Sequence, residues 1–138
     1  MANRYGEAAL IAARQGPQNT PAAAWEMALE RLYPTSPAAR KKGSPRGAFL
    51  GLCEAGLVKG VPAGNYKASR DNKAVAVRAA RLLMEGGQRW SLSTLWRAAT
   101  DDTGIKEDGQ MDVVFALWKN DLIVPDAGQA GFSSEVIS

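Results

Sequence analysis

The chain has 138 residues, 46% apolar and 22% charged, with a formal net charge of +3. That length fits one domain with a core of its own, and the apolar share excludes global disorder. Histidine is absent and Cys53 is the one cysteine, which excludes intramolecular disulfides, cysteine/histidine zinc sites, histidine-based triads and iron–sulfur cages built by one chain.

Asn3 is placed to cap a first helix of about a dozen residues, with Ala8, Ile11 and Ala12 on one stripe and Gly16-Pro17 as its stop. Thr20-Pro21 starts a second helix, pairing a capping hydroxyl with a proline whose missing N–H costs nothing there. Trp25, Ala28, Leu29 and Leu32 follow at helical spacing, and Pro34 closes the segment. Ser36-Pro37 repeats the start signal for a short helix ending at Gly43. Ser44-Pro45 repeats it again for a helix carrying Phe49, Leu50, Leu52 and Cys53. That helix stops at Gly56, read as a left-handed cap, with Leu57 buried behind it.

The segment from Lys59 to Asp71 reads as a loop by its Gly, Pro and Asn content. A long helix is expected from about Asn72 to Glu85, with apolar residues around most of its circumference, as befits a central helix. Gly86-Gly87 terminates it. Trp90, Ser91 and Leu95 fit a hydrophobic staple around a serine cap, and the helix they open ends near Asp101. An acidic loop, DDTGIKEDG, leads to a last helix, QMDVVFALWKN, with Met111, Val114, Phe115 and Trp118 on its inner side. No strand is expected beyond a short extension at Leu57-Val58. The expected fold is thus all-α, a compact single domain of five or six helices over residues 1–124, with a flexible tail over 125–138.

AFLGLCEAGLV (Ala48 to Val58) echoes VVFALWKNDLI (Val113 to Ile123) at an offset of 65 residues. Two related, helix-turn-helix-like halves would account for it. Coincidence between two capped amphipathic helices is the favoured account, since the rest of the halves aligns poorly.

The small net charge hides an asymmetry. Residues 1–90 hold 14 Lys/Arg against 6 Asp/Glu (+8), residues 91–138 hold 3 against 8 (−5), and residues 31–90 alone hold 12 against 3 (+9). A basic body attracts phosphate-rich partners; compensation within one fold or across a homodimer explains the same numbers.

The candidate anion-binding residues fall in two groups. Arg40, Lys41, Lys42 and Arg46 surround Ser44-Pro45, where a helix amino terminus adds free N–H groups and a positive dipole end. Lys59, Tyr66, Lys67, Arg70 and Lys73 form a second basic segment containing an aromatic ring, suited to tracking a phosphate backbone. Two solvated turns are the alternative. Sequence-specific readout finds little support. Of the helices only 72–85 offers suitable side chains, Lys73, Arg78 and Arg81, and it reads as core.

Catalytic readings fare worse. Cys53 lies on an apolar face and reads as inert core. Asp101, Asp102, Glu107, Asp108 and Asp112 miss the EF-hand spacing and read as the acidic lead-in to a helix, so neither metal nor cofactor is expected. Gly47 and Gly51 share a helix face and suit close helix packing; no P-loop or GxGxxG is present. Trp25, Trp90, Trp96 and Trp118 read as core anchors.

Three stretches, RYGEAALIAA, GAFLGLCEAGLVKGVPAGNY and MDVVFALWKNDLI, resemble a family of small uncharacterised bacterial proteins, a domain of unknown function, over most of residues 4–123. The resemblance implies a bacterial cytosolic protein and brings no catalytic residues. With no signal-peptide pattern and no apolar run long enough for a membrane span, a cytoplasmic location is expected. The function expected is non-catalytic binding of nucleic acid or another phosphate-bearing partner by a basic face over residues 40–73. The alternative is a protein-interaction module or homodimer.

Overall fold

The computed structural model describes residues 4–15, 18–100 and 104–124. Short side chains start the helices where the sequence places caps. Thr20 Oγ1 accepts the Ala23 N–H at 3.2 Å and opens α2 (Pro21–Leu32), and Ser36 Oγ accepts the Ala39 N–H at 3.3 Å to open the single turn α3 (Pro37–Arg40). Ser91 and Thr94 exchange side-chain-to-backbone hydrogen bonds of 3.0 and 3.2 Å, a reciprocal capping box ahead of α6 (Leu92–Thr100). α1 (Tyr5–Ala13) begins after Arg4; Asn3, Gly16-Pro17, Asp101-Asp102 and the tail lie outside the described residues.

Two starts differ from expectation. α4 (Gly43–Glu54) takes Lys42, in extended conformation, as its cap, so Ser44 and Pro45 sit inside the first turn. No cap bond forms there, and proline tolerates the position because first-turn N–H groups have no intrahelical acceptor. α5 (Arg70–Glu85) begins two residues earlier than expected, bringing Arg70 onto the helix. α7 (Gln110–Lys119) completes the order. Six helices of nine residues or more and one isolated turn thus make up an all-helical fold among the described residues.

α4 occupies the centre, packed on α2, α5 and α7. Ala48, Phe49, Leu50, Leu52 and Cys53 are all fully buried on it, and Phe49 stacks on buried Trp25 with ring centroids 5.3 Å apart. The glycines make this centrality sterically feasible. A Cβ on Gly51 would lie 2.5 Å from the Lys73 Cα, and one on Gly47 would lie 2.8 Å from the Asn72 Cβ. Backbone therefore meets helix directly where α4 crosses α5. α5 itself is not wrapped by core. It buries Val75, Ala76, Ala79, Ala80 and Leu83 along one stripe, while Val77, Leu82 and Met84 lie half-buried at its flanks. On α7 the inner stripe centres on Met111, Val113, Val114 and Leu117, leaving Phe115 and Trp118 half-buried.

α4 and α7 end alike. The Leu57 N–H bonds to the Leu52 carbonyl at 3.0 Å and the Leu122 N–H to the Leu117 carbonyl at 2.8 Å. The preceding residues, Gly56 and Asp121, adopt φ of 76° and 60°, the left-handed closure of a Schellman cap. The two exits then pair in an antiparallel bridge, Val58 opposite Ile123. Lys59 N–H donates to Leu122 O at 2.9 Å and Val124 N–H to Leu57 O at 2.8 Å. These are the residues aligned by the 65-residue echo.

Candidate anion-binding groove on helix 5

Among the nine basic and aromatic candidates, Arg40, Lys41 and Arg46 line one depression and Arg70 and Lys73 another. Arg40 donates from Nη1 to the Tyr33 and Pro34 carbonyls at 2.7 and 3.0 Å, closing the end of α2. With Lys41 and Arg46 it lines a depression of about 400 Å³ that also contains Glu26 and Glu30. Arg46 Nη2 lies 4.0 Å from Glu26 Oε2, so cations there alternate with carboxylates. Lys42 hydrogen-bonds the Asp108 carboxylate, which raises the lysine pKa. The amino-terminal cluster is thus electrically mixed.

The second group is anchored by a carboxylate. Glu54, at the end of α4, has a side chain only 10% exposed. Its Oε2 accepts the N–H groups of Tyr66 and Ala68 at 2.8 and 3.0 Å, and its Oε1 accepts the Lys73 ammonium at 2.8 Å. Burial alone would push the carboxyl up. The Ala68 N–H, the Lys73 ammonium and the Tyr66 N–H outweigh it and hold the pKa at about 2. This contact fastens the 59–69 loop to the core. It also fixes Tyr66, whose hydroxyl donates to the Pro62 carbonyl at 2.6 Å and whose ring lies against Gly64. Lys59 and Lys67 stand exposed along the loop, Lys67 with a left-handed φ of 61°.

Beyond the loop, the outer face of α5 brings cations together. Arg70, Lys73, Arg78 and Arg81 line one open groove of about 840 Å³. At 3.6 residues per turn Arg70, Arg78 and Arg81 fall within an arc of about 80° opposite the buried stripe, with Lys73 at its edge, where its backbone meets Gly51 of α4 and its ammonium bonds Glu54. The floor is apolar, formed by Ala55, which caps the end of α4, with Ala74, Val77 and Leu82, and Glu85 closes one end. Arg78 and Arg81 were outside the basic segment favoured from sequence. The signal that finds them is their helical phase with Arg70, visible once α5 is known to bury a single stripe rather than its whole circumference.

The remaining chemistry is structural. Cys53 is fully buried, and burial first, then nearby Glu54, pushes its thiol up; a thiolate nucleophile is disfavoured there. In the acidic loop, Glu107 Oε2 accepts the Gly109 and Met111 N–H groups at 3.0 and 3.2 Å, capping α7. Fully buried Gln110 donates to Asn72 Oδ1 at 3.0 Å, tying α7 to α5. Among the described residues no three His, Cys, Asp or Glu side chains group to hold a metal, and no helix is long and apolar enough to cross a membrane.

No curated protein and no solved structure matches the chain. Residues 2–124 match a family of unknown function (DUF6979), a span that takes in every described helix, and the chain belongs to that family.

Proposed function

We propose that this is a non-catalytic binding protein that holds the phosphate backbone of a nucleic acid in the cationic groove of α5. The observation that carries the reading is the grouping of Arg70, Lys73, Arg78 and Arg81 in one groove, within a stretch whose charge balance is +9. Guanidinium forks match phosphate oxygens bidentately, which suits arginine to this task. Lys59, Lys67 and Tyr66 lie on the loop that leads into α5. Arg40, Lys41, Lys42 and Arg46 contribute less, because Glu26, Glu30 and Asp108 are interleaved with them and weaken their pull on a polyanion.

The matched caps of α4 and α7 support kinship between two helix-turn-helix-like halves. Neither helix suits a reading role, since α4 is buried from Gly47 to Cys53 and α7 carries Asp112. Lys42 meets Asp108 within one chain, so opposite charges of the two halves are partly compensated internally, which disfavours a homodimer built on their attraction.

The test is fluorescence anisotropy with labelled DNA and RNA across a salt series, beside retention on heparin. Glu54 already offsets the Lys73 charge, so three arginine–phosphate contacts give log K falling against log salt with a slope of about −2.7. Absence of salt-sensitive binding to any of these polyanions overturns the reading.

A further inference from the structure

Resting on that reading, we infer that the groove takes duplex nucleic acid, gripped through its backbone and without base readout. The four cations form two pairs, Arg70 with Lys73, whose charge Glu54 offsets, and Arg78 with Arg81. Equivalent members of the pairs are eight residues apart, about 12 Å along the axis at 1.5 Å per residue. That matches the roughly 12 Å width of the B-form major groove, so the pairs can meet phosphate rows on both of its borders. A single strand presents no such paired rows.

Two absences within the lining point the same way. Proteins that hold single strands supply aromatic platforms on which bases stack, and the groove lining contains no aromatic residue. Tyr66 is the ring nearest in sequence, and it is held by Pro62 and packed on Gly64. Base-edge readout needs amides or guanidinium groups between the phosphate contacts. Between the two pairs the lining offers Ala74 and Val77, which carry no hydrogen-bonding side chain. Glu85 repels phosphate and ends the footprint, leaving the eleven-residue rise from Arg70 to Arg81. That rise is about 16 Å, enough to span the groove from one border to the other.

The full chain is titrated into a fluorescein-labelled 20-base-pair duplex, its isolated strand and a second duplex of unrelated sequence, with heparin retention in parallel. The duplex is expected to bind at least fivefold more tightly than the strand, and the two duplexes within twofold of each other. Replacing both exposed arginines (R70A/R81A) lowers duplex affinity at least tenfold and makes the salt slope shallower by about 2, with an unchanged circular dichroism spectrum. Equal or tighter binding of the strand, or a tenfold difference between the duplexes, overturns this inference while salt-sensitive binding upholds the wider reading. Loss of all polyanion binding, heparin included, overturns both.

Discussion

Replacing Glu54 with glutamine tests the contact that fastens the 59–69 loop to α4. The carboxyl titrates at 4.5 when unperturbed and at about 2 in the fold, and its side chain is nine-tenths covered. A difference of that size corresponds to about 3 kcal/mol of stability, at 1.36 kcal/mol per pH unit. Because the folded pKa is the lower one, this contribution is fully present above about pH 4.5. It declines as pH falls toward 2, where folded and unfolded chains both carry the proton. Glutamine retains one oxygen acceptor but neither the charge nor the second acceptor, so E54Q should lose about 2 kcal/mol at pH 7. Urea unfolding followed by circular dichroism, at pH 7, 5, 4, 3 and 2.5, measures the gap between wild type and variant. The gap should be widest at neutral pH and close toward pH 2.5. A gap of constant size across the series would show that glutamine disturbs packing rather than charge and would refute the reasoning. So would a variant as stable as wild type at pH 7.

Two further substitutions probe the backbone. G51A drives a methyl to within 2.5 Å of the Lys73 Cα, so the helices must part; thermal melts should show a net loss of about 1–3 kcal/mol, whereas G43A, with nothing within 4 Å, should be neutral or stabilising by up to about 1 kcal/mol. D121G removes a side chain from a left-handed position with φ of 60° and should stabilise by roughly 0.5 kcal/mol, read as a higher urea midpoint with unchanged slope.

Local chemistry was legible in the sequence. Thr20-Pro21, Ser36-Pro37, Ser91 and Gly56 each act on neighbours within a few residues, so their geometry follows from sequence spacing alone. The face shared by Gly47 and Gly51 belongs to the same class, because helical phase reveals it without knowledge of the partner. Ser44 was misread for a local reason, since α4 starts one residue before it and places its hydroxyl within the first turn. The candidate site was harder. Lys42 meets a carboxylate 66 residues away and Lys73 one 19 residues away, and no spacing rule reports such pairings. The groove was missed because the apolar residues of α5 suggested full burial. The alanines Ala76, Ala79 and Ala80 lie on the one buried stripe of α5, while Val77 and Leu82 form part of the groove floor.

The pairing of Val58 with Ile123 also constrains the order in which the molecule can assemble. It closes a 65-residue loop containing α5, α6 and α7, and closure of that length costs about 3.7 kcal/mol in chain entropy beyond a constant. During synthesis α4 and α5 are made before residues 122–123 exist. The helix that bears the groove is therefore made before the clasp joining the two helix exits can close.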